Sequence, residues 1–289
     1  MTTRFVERIA VEDAGEGEPV LLIHGLGGTS NVWTPLLPAL ARFRTLRPDL
    51  PGSGRSWRVE GPLSIARFVE AMRTVCREAG VDRVHVVAHS LGTIVAFHLA
   101  VLEPALVRSL ALFGPVDSPP DAARPGIRAR GEAVRRDGVA GMQSLADALI
   151  DATTAHETRA HKPLAIGLVR ELLLRQCPDG YARTCAALAD AQAVDVAGIA
   201  RPTLLVTGDE DTIAPAQSVR HLAERIAGSR VEILHRCGHW TPVEQAEPCA
   251  GLLRDFFSGG ARSGAGRSPL TERWRSSSTV STARRIGGG

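Results

Sequence analysis

One segment, residues 84–96, restricts the fold more than any other part of the chain. Its sequence, VHVVAHSLGTIVA, is a short apolar run followed by Ser90 and then by a second apolar run at helical spacing. The small residues Ala88 and Gly92, two positions before and after the serine, allow a strand and a helix to meet at a sharp turn. A serine in such a turn projects its hydroxyl away from the sheet, at a helix N-terminus that favours developing negative charge. Ser90 is therefore a candidate nucleophile, although a serine here can also be a simple N-cap.

The flanking sequence alternates between strand and helix patterns. Short apolar runs bounded by Gly, Pro or Asp predict buried strands at residues 20–24, 45–49, 84–88, 109–113, 202–207 and 231–234. Apolar residues recur at helical spacing between Ser64, a candidate N-cap, and Gly80, a candidate C-terminal residue. A last helix is predicted at about residues 242–257. The alternation is typical of βαβ units around a parallel sheet.

The chain divides by pattern into a core, an insertion and a tail. Residues 117–198 have a helical pattern rich in Ala, Arg and Asp, and they interrupt the strands. An insertion at the carboxyl end of a strand lies over the region where open α/β sheets bind ligands, so we expect a helical cap there. The core is then residues 1–116 and 199–257. Residues 258–289 are rich in Arg, Ser and Gly, and we expect a disordered tail or an out-of-frame extension.

Charge and cysteine usage exclude several classes of function. The formal net charge is +3, and residues 258–289 alone carry six arginines against one glutamate, so the body has no basic patch for a nucleic acid. No secretory signal and no run of 18 apolar residues is present, so we expect a cytoplasmic protein without a membrane partner. Five cysteines without a C-x-x-C pair indicate reduced thiols and no metal site. Cys237, two residues before His239, is either a reactive thiol or an ordinary buried cysteine.

A glycine-rich loop follows the first apolar run, with the sequence HGLGG at residues 24–28. It has neither the lysine of a phosphate-binding loop nor a G-x-G-x-x-G pattern, so we expect no nucleotide there. Glycines let the backbone approach a substrate carbonyl, and an amide of this loop can join the amide after the nucleophile in an oxyanion hole. The candidate donors are the backbone N–H groups of Leu26 and Leu91.

Candidate partners for Ser90 lie in the second part of the core. Asp209, Glu210 and Asp211 follow the strand at residues 202–207, and any one of them could orient a histidine. His239 follows the last predicted strand and is preceded by a glycine. The chain order is therefore serine, acid, histidine, with each residue after a predicted strand.

Five motifs in this order make residues 20–257 resemble the α/β-hydrolase superfamily, in particular small bacterial carboxylesterases and 3-oxoadipate enol-lactonase-like hydrolases. The matching motifs are HGLG at 24–27, DLPGSGRS at 49–56, AHSLG at 88–92, GDEDTIAP at 208–215 and GH at 238–239. The chain departs from the resemblance at Ala88, where glycine is commoner, and in its arginine-rich tail. The resemblance implies an α/β fold with a mostly parallel central sheet, flanking helices and a helical cap inserted after the sixth strand.

The resemblance also implies a catalytic triad of Ser90, His239 and Asp211, because the acid is the fourth residue of the loop that begins at Gly208. Some relatives use instead an acid at the position of Asp117. Serine at position 90 argues against the haloalkane dehalogenase and epoxide hydrolase branches, which use a carboxylate nucleophile. The expected reaction is cleavage of small carboxylic esters or lactones through an acyl-enzyme on Ser90, without a cofactor or metal.

Alternatives remain at this point. The same triad can open an enol-lactone, hydrolyse a C–C bond or carry out perhydrolysis, and the fold can also serve a non-catalytic small-molecule receptor. Residues 117–198 contain one aromatic residue, Tyr181, so we expect limited apolar wall and short acyl groups. Arg128, Arg130 and Arg170 are the candidates for attracting an anionic group.

Overall fold

A computed structural model describes residues 2–259 of the chain. Eight strands form one sheet: β1 Thr2–Val6, β2 Ile9–Ala14, β3 Pro19–Ile23, β4 Arg44–Pro48, β5 Val84–His89, β6 Val107–Phe113, β7 Thr203–Gly208 and β8 Arg230–Leu234. The six strands predicted from apolar runs are confirmed, with ends that differ by one or two residues. The predicted tail, residues 258–289, lies outside the described residues apart from its first two positions.

The sheet has the order β1-β2-β4-β3-β5-β6-β7-β8. The strands from β4 to β8 in this order are parallel to their neighbours, whereas β1 and β2 form an antiparallel hairpin at one edge. The pattern of apolar residues does not predict this hairpin, because β1 is mostly exposed and β2 contains two acids. Glu12 and Asp13 are tolerated in β2 because Arg55 and Arg44 pair with them.

Both faces of the sheet are buried, which explains the continuous apolar runs. In β3, Leu21 and Ile23 face one core cluster, whereas Val20 and Leu22 face the other. The first cluster lies under the helices α1 Ile65–Glu78 and α2 Leu91–Leu102. The second contains Trp33, which packs edge-on against Phe113 at a ring centroid distance of 6.3 Å.

The described chain has seven more α-helices: α3 Arg124–Thr153, α4 His156–His161, α5 Pro163–Leu174, α6 Pro178–Ala189, α7 Ala216–Glu224, α8 Thr241–Glu244 and α9 Ala246–Gly259. The Ser64 side chain caps α1 by accepting from the Arg67 amide, and Gly80 follows the helix with a φ of 65°. The last helix, predicted as one, is divided into α8 and α9 because the backbone leaves helical geometry at Gln245. Within residues 2–259, no helix has the length and apolar character needed to span a membrane.

The segment between β6 and β7 is helical and contains α3 to α6. Helix α3 is kinked at Gly138, whose φ of 61° and ψ of −135° are not helical. Helices α3 and α6 pack closely at Gly131, where an added Cβ would lie 2.8 Å from the Cys185 Cβ. The fold is thus a mostly parallel sheet flanked by helices, with a helical segment inserted after the sixth strand.

Candidate active site

Ser90 lies in the turn between β5 and α2, in a backbone conformation that a non-glycine residue rarely adopts. Its φ is 52° and its ψ is −123°. The turn is sharp because α2 crosses close to β3: a Cβ at Gly92 would lie only 2.3 Å from the Ile23 carbonyl oxygen. The Ser90 amide donates to the Phe113 carbonyl on β6 at 3.0 Å. The surrounding structure therefore fixes a strained serine at the carboxyl end of the sheet.

The loops after β5, β7 and β8 bring Ser90, Asp211 and His239 together. The Ser90 hydroxyl is 2.8 Å from His239 Nε2, and His239 Nδ1 lies 2.9 and 3.1 Å from the two carboxylate oxygens of Asp211. A carboxylate only accepts hydrogen bonds, so Nδ1 carries the imidazole proton and Nε2 accepts from Ser90. This arrangement can remove the serine proton as the oxygen attacks an electrophile.

Asp211 is held as a carboxylate. Burial alone would raise the pKa of Asp211, but the charge and hydrogen bond of His239 and the amides of Ile213 and Ala214 lower it from 3.8 to about 2. Both amides donate to Oδ1 at 2.8 Å, and the Thr207 hydroxyl lies 3.1 Å from Oδ2. The carboxylate is therefore fixed in orientation and ionised at neutral pH.

The other acids that the sequence offered as partners of His239 form hydrogen bonds and ion pairs with other residues. Asp209 accepts from His235 and from the Cys237 amide, and Glu210 accepts from the His156 amide. Asp117 forms an ion pair with Arg225 at 2.7 Å. The geometry therefore brings only Asp211, among these four described acids, to His239.

The loop after β3 contacts the serine turn through glycines. A Cβ at Gly25 would lie 2.8 Å from the Ser90 Cβ, and Gly27 has a φ of 75°. His24 shapes this loop: its Nδ1 donates to the Gly25 carbonyl and its Nε2 accepts from the Leu50 amide, both at 2.8 Å.

The two candidate oxyanion donors, the amides of Leu26 and Leu91, donate to no other described residue. Both residues line the same cavity as Ser90. Unpaired amides beside a nucleophile can stabilise an oxyanion.

A cavity of about 390 Å³ lies next to Ser90 and His239. Its walls are mostly apolar and come from the core loops and from the inserted helices, with Leu26, Val116, Ile127, Leu149, Leu188, Ile213 and Trp240 among the lining residues. The walls are more apolar than residues 117–198 indicated, because core residues supply much of the surface. Of the three arginines proposed to attract an anion, Arg130 lines the cavity. Arg128 and Arg170 instead form outer ion pairs with Asp190 and Asp147, which corrects that expectation.

His89 is a neighbour of the relay that the sequence did not reveal. Its Nε2 donates to the His239 backbone carbonyl at 2.9 Å, and its ring lies 5.0 Å from the His239 ring. Burial, together with repulsion from His239, lowers the pKa of His89 from 6.5 to about 3. His89 is thus a neutral side chain that holds the His239 backbone. Its place next to Ser90 in the AHSLG motif was the available signal.

Glu244 is a second unforeseen residue, and it fastens the His239 loop to the inserted helices. Its buried carboxylate accepts from the amides of Ala155 at 2.8 Å, Gly238 at 3.1 Å and Trp240 at 3.0 Å. The His239 amide also donates to the Thr153 carbonyl at 2.8 Å. No sequence pattern identifies Glu244, because its partners are backbone amides and one of them, Ala155, lies 89 residues away in the chain.

Cys237 lies two residues before His239 and is one of five free cysteines. Burial raises the pKa of the Cys237 thiol far above its usual value, as does the charge of Glu244, so the thiol is an ordinary buried cysteine. In the described part of the chain, no group of three or more His, Cys, Asp or Glu side chains is arranged to hold a metal ion.

A parallel sheet that carries a serine after β5, an acid after β7 and a histidine after β8 defines the class of α/β-hydrolases. The chain belongs to the alpha/beta hydrolase fold family, whose model matches residues 18–138. It is 31% identical over 263 residues to the 2-hydroxymuconate semialdehyde hydrolase of Pseudomonas putida, covering 87% of this chain and 91% of that one.

Two further similarities point to the same family. The chain is 31% identical to the pimeloyl-[acyl-carrier protein] methyl ester esterase of Neisseria meningitidis, over 89% of this chain and 98% of that protein. A solved structure of a thermophilic esterase from Thermogutta terrifontis superimposes with a TM-score of 0.82 at 27% identity, over 86% of this chain and 93% of that chain. These relatives are hydrolases, in agreement with the family.

Proposed function

We propose that the protein is a serine hydrolase that cleaves carboxylic esters of small substrates through an acyl-enzyme on Ser90. One observation carries the proposal: Ser90, His239 and Asp211 form a continuous hydrogen-bonded relay that opens onto a cavity with two unpaired backbone amides. Ester cleavage needs a nucleophile, a base and an oxyanion site, and this arrangement has a group for each.

The reaction proceeds in two stages. His239 accepts the Ser90 proton while Oγ attacks the ester carbonyl, and the amides of Leu26 and Leu91 stabilise the resulting oxyanion. The imidazolium, stabilised by the Asp211 carboxylate, then protonates the leaving alcohol. Water, activated by the same imidazole, cleaves the acyl-enzyme and restores Ser90.

The inserted helices act as a cap in this proposal, with the boundaries 117–198 predicted from the sequence. Support comes from Ile127, Leu149, Tyr181 and Leu188, which lie on this segment and line the cavity beside Ser90. The volume of about 390 Å³ is at the small end of ligand sites, which favours short acyl groups or small lactones.

The test is hydrolysis of p-nitrophenyl esters from acetate to palmitate. We expect turnover of the short esters, a kcat/KM that stops rising by about eight carbons as the cavity fills, and loss of turnover in Ser90→Ala. Ser144→Ala, an exposed serine on α3, is the matched control and should retain full activity. Equal activity of Ser90→Ala and the wild type would disprove the nucleophile.

A second candidate is hydrolysis of 2-hydroxymuconate semialdehyde, the substrate that the name of the Pseudomonas putida relative gives for that protein. The same relay and oxyanion donors would serve it. A kcat/KM for this compound above that for every short ester would favour the second candidate.

A further inference from the structure

One buried side chain of the inserted segment contacts the loop that carries the Leu26 amide. Gln176 lies in the short link between α5 and α6 and is 5% exposed. Its Nε2 lies 3.2 Å from the Gly27 carbonyl oxygen and 3.1 Å from that of Gly28, and 2.8 Å from the Leu172 carbonyl oxygen. An amide nitrogen only donates, so these carbonyls fix the orientation of the carboxamide. The inserted segment thus supplies a donor to the loop after β3.

The other end of the same carboxamide binds a second loop of the core. Its Oε1 accepts from the Gly54 amide, in the loop after β4, at 3.3 Å. Helix α5 also packs directly on the first loop, because a Cβ at Gly27 would lie 2.5 Å from the Leu173 Cδ2 atom. Gln176 is therefore held between two core loops, with both ends of its carboxamide bonded.

The contact at Gly27 reaches the Leu26 amide through two peptide units. The peptide bonds of this loop are trans, and in a planar trans unit the C=O and the N–H point in opposite directions, so a bond that fixes one fixes the other. Gln176 binds the C=O of the unit that joins Gly27 and Gly28. The N–H of that unit donates to the Gly25 carbonyl at 3.0 Å. This carbonyl belongs to the unit whose N–H is the Leu26 donor, so Gln176 sets the direction of an N–H group that it does not touch.

We propose that Gln176 is a positioning residue, through which the inserted helices hold the Leu26 amide in the direction that binds an oxyanion. The inference rests on the proposed function, because it concerns the amide that stabilises the oxyanion in that reaction. His24 also donates to the Gly25 carbonyl, at 2.8 Å, and it remains when Gln176 is replaced. Loss of Gln176 therefore misdirects the donor without removing it. The inserted segment acts on the transition state as well as on the bound substrate.

The first experiment is Gln176→Glu, because a carboxylate can accept from the Gly54 amide but cannot donate to the carbonyls of Gly27 and Gly28. We expect kcat on p-nitrophenyl butyrate to fall about 10- to 100-fold, less than the roughly 100- to 1000-fold typical of deleting an oxyanion donor. KM should change less than about 3-fold, because the contact is made in the transition state. Gln176→Met is neutral and buries no charge, and it should give the same loss of kcat. Agreement between the two variants excludes an effect of the new charge on the oxyanion.

Two control variants separate positioning from stability. Gln192→Glu makes the same substitution at an exposed carboxamide of the inserted segment and should behave like the wild type. Arg183→Met removes another contact between this segment and the core, since the Arg183 guanidinium donates to the carbonyls of Val59 and Gly61. It should lower the melting temperature without lowering kcat. Equal losses of kcat in Arg183→Met and Gln176→Met would show that any loosening of the inserted helices slows the reaction, and would overturn the inference.

A mimic of the transition state gives a readout that needs no turnover. With 1,1,1-trifluoropentan-2-one, Ser90 Oγ bonds to the carbonyl carbon, the C=O electron pair becomes an oxyanion, and the serine proton moves to His239. Titration calorimetry should give a Kd about 10- to 100-fold weaker for Gln176→Met than for the wild type, and an unchanged Kd for Gln192→Glu. Equal Kd values for the wild type and Gln176→Met would overturn the positioning role. A wild type that binds the ketone but cleaves no ester would count against the proposed function, whereas the Kd values would still decide the role of Gln176.

Discussion

Replacing Glu244 by Gln should lower both the free energy of unfolding and the rate of the reaction, although Glu244 does not contact Ser90 or line the cavity. In the native structure, Oε2 accepts from the amides of Ala155 and Gly238, and Oε1 accepts from the amide of Trp240. A glutamine has one carbonyl oxygen and one NH₂ group in these places. If its oxygen takes the two amides, its NH₂ group faces the third amide, donor against donor.

The magnitude follows from these three contacts. The Trp240 amide loses its acceptor and stays buried, which costs about 1–3 kcal/mol, and the other two contacts change from charge-assisted to neutral, with about half the strength. A total near 3 kcal/mol corresponds to a fall in melting temperature of roughly 6–12 °C for a domain of this size. The released loop carries His239, and a displacement of about 1 Å at a reacting group can cost 100-fold in rate.

Thermal unfolding and kcat/KM on p-nitrophenyl butyrate measure the two effects. Glu247→Gln is the matched control, because Glu247 is exposed and pairs only with Arg254 at the surface, so it should behave like the wild type. If Glu244→Gln and Glu247→Gln are alike in melting temperature and in rate, the carboxylate does not hold the His239 loop and the reasoning fails.

Two further predictions concern the relay. Asp211→Asn should lower kcat by about 10⁴-fold, because the imidazole of His239 loses the partner that fixes its tautomer. The carboxylate of Asp209 contacts His235 instead, so Asp209→Asn should lower kcat less than about 3-fold. The reverse ranking would refute the choice of acid. Protonation of His89 should make the free energy of unfolding depend on pH. The pKa of His89 is about 3 in the folded protein, below the 6.5 of the unfolded chain. The stability contributed by neutral His89 is therefore complete above pH 6.5 and declines as the pH falls towards 3. The free energy of unfolding should change by about 1.4 kcal/mol per pH unit in this range. Urea unfolding at pH 7, 6 and 5 should show that the stability of His89→Gln depends less on pH than that of the wild type. Equal slopes for the two proteins would contradict the lowered pKa of His89.

The sequence predicted the parallel part of the sheet because those strands are buried on both faces. Each appears as an apolar run closed by a glycine, proline or aspartate, and such runs cannot be placed at the surface without cost. The β1–β2 hairpin was not predicted because the two acids of β2, Glu12 and Asp13, interrupt its apolar pattern. These acids are stabilised by ion pairs with arginines from other segments of the chain. Local pattern contains no information about such partners.

Some residues of the candidate site could be predicted from the sequence and others could not. Ser90 and His239 are marked by short motifs with strict steric requirements, such as the small residue at Gly92. Asp211 could not be separated from Asp209 and Glu210 by residue type, because the direction of each side chain depends on the turn after β7. Glu244 acts on backbone amides of its own loop and of the inserted helical segment. Those properties exist only in three dimensions.

The most direct test of the central claim is covalent labelling with a fluorophosphonate, followed by peptide mass spectrometry. A serine activated by His239 should form one adduct, on Ser90, and the adduct should be absent from Ser90→Ala and strongly slowed in His239→Ala. Ser144→Ala should be labelled as fast as the wild type. Labelling of a different serine, or labelling of Ser90 at the same rate without His239, would contradict the assignment of Ser90 as the activated nucleophile.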